Sequence, residues 1–346
     1  MSSKASIQID LHADPRTRGA RRTTTATGDV ADVAALDPVA RAVLDGLRAA
    51  PKRLPPWLFY DAEGSRLFEQ ITELPEYYPT RAERDIFVQH GAAIMAAAQR
   101  GRDATIVELG AGTASKTQLL VRAAAAHRGH ARFVPIDVSP TPLELARARF
   151  TGDASVTVEP WVATHDEAMP RLAALPGPKV VLFVGSSIGN YEGDDAVTLL
   201  AGVRAALAPG DTLVLGTDLR KDPAVLVRAY DDAAGVTAAF DLNVLARINR
   251  ELGGRFDLAR FRHVALWNAA ASRIEMHLES VGDQVVAIER LGVVVPFRAG
   301  ERIHTESSVK YDLAMVDALL AAAGFQRART WTDAGGRFAE HVAVAV

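Results

Sequence analysis

Two acidic residues and two glycines are the first chemistry-bearing feature of the chain. Glu108 closes the apolar run ATIVEL, and Gly110 and Gly112 follow it in GAGTASKT. Asp137 closes a later apolar run, RFVPID. From Gly110 to Thr117 the letters nearly spell the phosphate-cradling pattern G-x-x-x-x-G-K-[ST], with Ser115 in place of its last glycine and Lys116 in place of its lysine. A phosphate loop also needs a carboxylate for Mg²⁺ on a neighbouring strand tip. Here the carboxylate stands directly before the loop, where it repels a triphosphate and suits a cation. An acid at a second strand tip is placed to accept two hydrogen bonds from a ribose diol. The glycines let the backbone approach a ligand that leaves no room for a Cβ.

Such a site needs strands whose carboxyl ends face one crevice, and the chain supplies the rhythm for them. TIVEL (105–109), RFVPIDVS (132–139), VTVEPWV (156–162), VVLFVGSS (180–187) and DTLVLGTD (211–218) are short Val/Ile/Leu-rich runs. Helical stretches at 116–127, 141–150, 167–174 and 196–207 separate them. This alternation predicts a doubly wound, mostly parallel α/β sheet covered on both faces. The C-terminal MVDALLAAAGF, ARTWTD and HVAVAV predict a helix and an antiparallel edge hairpin on that sheet. Between 219 and 309 the alternation stops. DPAVLVRAYDD opens with an Asp cap and a Pro, a second helix is expected near 236–252, and strand-like runs follow. The first two of these, SRIEMHLES and QVVAIERLGVVV, are expected to join at a Gly-Asp turn, and ERIHTESSVKY comes after them. The block reads as an inserted α+β substrate-binding domain. The helices before residue 80, the first capped by Asp37 and running from Pro38 to about Leu47, are expected to join it. The expected division is therefore 31–80 with 219–309, against 81–218 with 310–346. Residues 1–30, with Arg16, Arg18, Arg21 and Arg22, carry no hydrophobic period and are expected to be a disordered tail. Tyr60, Tyr77 and Tyr78 fall on or beside breaks in the helical segments, where binding residues tend to sit.

The bulk numbers remove other classes. A 346-residue chain that is 49% apolar and 23% charged has material for an ordinary core. A net charge of −3 gives no electrostatic case for nucleic acid or an anionic membrane. The absence of cysteine excludes disulfides, thiolate metal sites and a Cys nucleophile. The nine histidines show no metal-ligand spacing; His12, His90, His127 and His130 read as solvated, and no metal is expected. No apolar run reaches the ~20 residues of a membrane span, and the N-terminus lacks the apolar core of a signal peptide, so a cytoplasmic location is expected. Glu108, Asp137 and the strand order together favour S-adenosylmethionine, cationic at sulfur and at its ammonium group, over a nucleoside triphosphate.

The strings LPPWLFYDAEGSRLFEQITELPEYYPTRAE, VELGAGTASKT, VGSSIGNY, GTDLRKD, RAYDDAAGVTAAF, RIEMHLES and TESSVKY go further. Together they resemble the histidine Nα-methyltransferases of ergothioneine biosynthesis, from about Leu47 to the C-terminus. The resemblance implies a class I methyltransferase-type fold, a monomer, and conversion of L-histidine to its trimethylated betaine, hercynine. It assigns Asn190 and Tyr230 to the substrate carboxylate, and Tyr60 and Tyr77 to the amine and imidazole surroundings. Glu306 and Ser308 go to the imidazole ring, which Met276 also touches. Tyr60 and Asn190 are then the groups that hold the reacting amine. Gly110, Lys116 and Asp137 go to the cofactor, with Lys116 near its methionine carboxylate; Glu108 and Gly112 join them on the reasoning above. Two departures stand out. Where the family usually shows Gly-Asp-Phe, with an Asp on the adenine amine, this chain reads Ala163-Thr164-His165-Asp166, so either Asp166 takes that role or the backbone does. Asp241 stands where the family often has Asn, beside the substrate amine or facing solvent. The competing readings are a methyltransferase of a modified histidine or another amino acid, a silent S-adenosylmethionine-binding module, and a P-loop ATPase.

Overall fold

The structure, a computed structural model, describes residues 36–346. The expected tail, with its arginines and His12, lies outside the described residues.

Helix α1 (Pro38–Arg48) begins where the Asp37 side chain accepts from the Ala40 amide (2.8 Å) and Pro38 presets the first turn. A two-residue strand β1 (Lys52–Arg53), α2 (Ala62–Glu73) and the long α3 (Pro79–Gln99) follow. The alternating segment then runs β2 (Thr105–Leu109), α4 (Gln118–Arg128), β3 (Ala131–Asp137), α5 (Pro140–Ala148), β4 (Val156–Val158), β5 (Trp161–Val162), α6 (His165–Ala174), β6 (Lys179–Phe183), α7 (Asp194–Ala205) and β7 (Thr212–Asp218). After α8 (Pro223–Tyr230) and α9 (Val236–Leu252) come β8 (Phe261–Asn268), β9 (Arg273–Ser280), β10 (Gln284–Ile288), β11 (Val293–Phe297) and β12 (Arg302–Val309). The chain closes with α10 (Leu313–Ala322), β13 (Phe325–Thr332) and β14 (Phe338–Ala345).

The large sheet has the order β13-β14-β7-β6-β2-β3-β4, with β5 also on β3. Strands β4, β3, β2, β6 and β7 run parallel, and the terminal hairpin adds antiparallel to β7. Every residue of β2, β6 and β7 is buried, which is why their sequences are near-continuous apolar runs. The chain steps from β2 outward to β3 and β4, then returns to the other side of β2 for β6 and β7. That reversal opens a crevice at the carboxyl ends of β2 and β6, and Glu108, Asp137 and the 184–190 turn all stand at strand tips on this edge.

A second sheet, β1-β12-β9-β8, stands on α8 and α9. Its register pairs Met276 with Glu306 and Ile274 with Ser308, so these four side chains share one face. Met276 lies in the core as its period requires and is also the cross-strand neighbour of Glu306.

Several expectations need correction. SRIEMHLES and QVVAIERLGVVV do meet at a turn containing Gly282 and Asp283, but they do not pair. β9 lies between β8 and β12, whereas QVVAIERLGVVV is itself a hairpin, β10 against β11, turning at Gly292 in the left-handed region. Strand β8 was not anticipated. VTVEPWV is two short strands, interrupted at Glu159-Pro160 because proline has no N–H for the ladder. Lys116 sits in the turn before α4 rather than in the helix.

Candidate active site

The glycine loop is fixed by its own backbone. Gly110 (φ +69°) and Gly112 (φ +50°) are left-handed, and a Cβ at either would meet nothing within 4 Å, so conformation rather than crowding requires glycine. The Gly112 amide donates to Asp137 Oδ2 (3.0 Å) and the Ser139 amide to Oδ1 (3.0 Å), which ties the loop to the tip of β3. Glu108 is buried; its Oε1 accepts from the Thr117 hydroxyl, and its Oε2 has no partner. Burial pushes the Glu108 carboxyl up to about 8, against the Thr117 hydrogen bond and the Lys116 charge. Lys116 is bonded to Glu83 of α3. Asp166 lies exposed in the first turn of α6, whose capping box is formed by Thr164 and Glu167. Its neighbour His165 packs edge-on against Phe183, with Nδ1 3.3 Å from the Tyr191 hydroxyl.

Facing this loop, the second sheet and the N-terminal helices bring the aromatic and polar residues together. Tyr60 follows a short 3-10 turn (Pro56–Phe59) and is 42% exposed. Its ring packs edge-on against Phe68 (5.7 Å) and Phe240 (5.8 Å). Tyr77 meets the Tyr230 ring edge-on at 6.2 Å, and Glu306 lies within its electrostatic reach. The Asn190 amide, with its nitrogen turned toward β12, donates to the Ser307 carbonyl (3.2 Å) and to Glu306 Oε1 (3.3 Å). Burial pushes the Glu306 carboxyl up to about 7, with Lys310 opposing and Asp241 adding to the shift.

Beneath these residues lies a charged group that the sequence analysis did not single out. Lys310 is 0% exposed; its Nζ donates to Ser308 Oγ (2.8 Å) and Tyr230 Oη (2.9 Å) and pairs with Asp218 Oδ2 (2.9 Å). Burial opposes the lysine's charge, but Asp218 and then Tyr230 outweigh it and raise its pKa. Tyr230 Oη and Ser308 Oγ are themselves 2.8 Å apart. Both oxygens receive a hydrogen from Lys310, and one hydroxyl hydrogen is used between them. The other hydroxyl hydrogen has no acceptor within the cluster and can be offered to a ligand. Tyr78 donates to Asp218 Oδ2 (2.7 Å).

Two signals could have revealed this cluster. Lys310 continues the period of two from Glu306 and Ser308, and Asp218 ends a parallel strand as Glu108 and Asp137 do. Asp241 does not face solvent. It is fully buried and bonds His263 Nδ1 (2.7 Å), whose Nε2 faces the Tyr230 carbonyl (2.8 Å).

Residues 39–345 match the family model described as "Histidine-specific methyltransferase, SAM-dependent". The chain belongs to this family. It is 47% identical over 302 residues to a histidine N-alpha-methyltransferase of Mycobacterium tuberculosis (strain CDC 1551 / Oshkosh), covering 86% of this chain and 92% of that protein. It is 46% identical over 311 residues to the protein of the same description from Mycolicibacterium smegmatis, covering 90% and 96%. Ergothioneine biosynthesis protein 1 of Neurospora crassa is 31% identical over 288 residues, which is 82% of this chain but 32% of that longer protein. S-adenosylmethionine is thus the methyl donor of this methyltransferase. The loop fits a cationic cofactor: the unpartnered Glu108 oxygen is an acceptor beside it, and the space above Gly110 and Gly112 is open. Among the described residues no helix is long and apolar enough to cross a membrane.

Proposed function

We propose that this methyltransferase acts on the α-amino nitrogen of L-histidine, three times in succession, to give hercynine for ergothioneine biosynthesis. The observation that carries the substrate assignment is the Glu306–Ser308–Tyr230–Lys310 cluster facing Tyr60 and Tyr77. Glu306 and Ser308 hold one ring nitrogen of the imidazole, and Met276 lies against the ring. Tyr230 donates to the carboxylate through the hydroxyl hydrogen that the cluster leaves free, and Asn190 joins it by exchanging its contact with Glu306 for the ligand. Tyr77 closes the ring's surroundings.

Bound S-adenosylmethionine supplies a methyl group on a positive sulfur. Glu108, Gly110, Gly112, Lys116 and Asp137 would hold it, with Asp166 toward the adenine end and Lys116 toward the methionine carboxylate. The chain's own work is alignment: nitrogen, carbon and sulfur must be collinear in a site from which water is excluded. The nucleophile is a neutral amine. In the first two transfers Tyr60 and Asn190 accept from its N–H groups so that its lone pair faces the donor; in the third, with no N–H left, the surrounding side chains hold it by packing alone. The ammonium proton of the substrate, and those left after the first and second transfers, pass to solvent before the next transfer, and no protein nucleophile takes part. The second sheet with α1, α2, α8 and α9 serves as the substrate unit. We place the enzyme in the cytoplasm as a monomer acting on a free amino acid.

Mass spectrometry of L-histidine incubated with the protein and excess S-adenosylmethionine tests this reading. A product heavier by three methyl groups supports it. Unchanged histidine, with a thiolated histidine or another amino acid methylated instead, refutes it.

A further inference from the structure

Below the glycine loop lies a second pair of carboxyl groups that the proposed chemistry does not use. Glu83 on α3 and Glu340 on β14 are both 0% exposed. They meet over Gly216 of β7: a Cβ there would lie 2.8 Å from Glu340 Oε1 and 3.0 Å from Glu83 Oε1. Glu83 is fully engaged, its Oε1 accepting from the Gly185 amide and its Oε2 from Lys116 Nζ. Glu340 has no donor at either oxygen.

Two ionised carboxylates cannot stay in contact in a dry interior when the single nearby lysine pairs with Glu83 alone. The charged groups facing Glu340 are Glu83 and Lys116, with Glu108 beyond them. We propose that Glu83 and Glu340 share one proton and act as a unit that positions Lys116 and the Gly185 turn for the cofactor. Glu340 is then a neutral acid donating to Glu83, and Glu83 carries the charge that holds Lys116. Lys116 retains free N–H groups and bridges Glu83 to the cofactor's carboxylate; this step rests on the role given to Lys116 above. The Gly185 turn leads directly to Asn190, so one buried proton sets both the cofactor anchor and a substrate contact. Burial, reinforced by Glu83, holds the Glu340 carboxyl well above the usual range. A group whose folded pKa is raised gives stability that is fully present below its unfolded value and is lost as pH rises toward the folded one.

The test uses the full chain and its Glu340→Gln, Glu340→Met and Glu83→Gln variants. At pH 8 ordinary carboxyls are ionised and Glu108 is only partly protonated, so the protonated-carboxyl infrared band of the wild type should shrink by one full carboxyl in Glu340→Gln. Glu340→Gln keeps a donor toward Glu83, whereas Glu340→Met offers none. By calorimetry Glu340→Met should bind S-adenosylmethionine about tenfold more weakly, the factor for losing one hydrogen bond to a charged group, and Glu340→Gln should restore affinity. Should Glu340→Met not fold, Glu83→Gln, which strips Lys116 of its carboxylate, should show the same loss. An infrared band unchanged in Glu340→Gln overturns the proposal, as does cofactor affinity that is equal in the Met and Gln variants or undiminished in Glu83→Gln. None of these readouts uses histidine, so a failed substrate assignment would leave them untouched.

Discussion

Replacing Lys310 with methionine is the most informative single change. Methionine fills a similar space without charge or donors. The native ammonium makes three polar contacts of 2.8–2.9 Å in a fully buried setting. Breaking a buried ion pair by removing one partner costs about 3–5 kcal/mol. Asp218 retains the Tyr78 hydroxyl and Lys221, so the lower end, about 3 kcal/mol, is expected. For a chain of this size that corresponds to a fall in Tm of roughly 5 °C. The functional consequence is separate. Without Lys310 the Tyr230 and Ser308 oxygens lose their shared donor, and the outward hydroxyl hydrogen is no longer directed to the ligand. Histidine affinity, measured by calorimetry with S-adenosylhomocysteine present, should weaken about tenfold or more, while S-adenosylhomocysteine itself binds within about twofold of wild type. A Tm within about 1 °C of wild type with unchanged histidine affinity would refute the reasoning, because it would mean the buried charge does no net work.

Other expectations follow from the same cluster and loop. Glu306, pushed up to about 7 by burial, becomes a full acceptor only as pH rises through that value. Histidine affinity should therefore climb from pH 6 to 8 in the wild type. Glu306→Gln should reduce that rise to the part set by the ligand's own imidazole, which titrates near ~6.5, and weaken binding about tenfold or more; a rise unchanged in the variant would refute the assignment. Glu108, pushed up to about 8 by burial, must lose a proton before it can pair with a cationic ligand. Below that pH S-adenosylmethionine binding should release a proton, measurable by calorimetry in buffers of different ionisation enthalpy, and Glu108→Gln should abolish the release. His263 has an acceptor at each ring nitrogen, so it is doubly protonated. Burial opposes that charge, but the Asp241 partner outweighs it and raises the pKa. The raised value gives stability present below about 6.5 and lost as pH rises through the folded pKa. Asp241→Asn should therefore lower the melting temperature at pH 6 more than at pH 9, and an equal loss at both would count against the charged pair.

Much of the molecule could be read from local sequence, because the signals were local. The apolar runs ending in Glu108 and Asp137 carry their own strand and turn chemistry, and the Asp37-Pro38 start of α1 is written in adjacent letters. The second sheet was harder. FRHVALWN has no period of two, with Arg262 and His263 adjacent and then four apolar residues on a strand only partly buried, a weak signal beside its neighbours, so β8 went unread. The turn at Gly282 and Asp283 was legible, but a turn alone does not say which strands pair: β9 lies between β8, just before it, and β12, beyond the β10–β11 hairpin. Contacts such as Glu83 with Glu340, or Asp241 with His263, join residues that no periodicity relates. They exist only once the sheets have been assembled.

The point where the insertion joins the large sheet has an evolutionary consequence. The chain leaves the large sheet at Leu219 and returns at Tyr311, and those two residues form a parallel bridge, flanked by the Tyr311 amide on the Asp218 carbonyl (2.9 Å). Exit and re-entry are therefore side by side, and the segment between them is a cassette joined to the large sheet by the chain at one seam, with β1 and α2 packed on it from the N-terminal side. Asp218 and Lys310 close that seam with a buried charge pair. A different cassette grafted between these anchors would leave the cofactor sheet undisturbed and bring new walls to the amine. Drift in substrate choice could then proceed by rewriting the hung segment while the seam stays fixed.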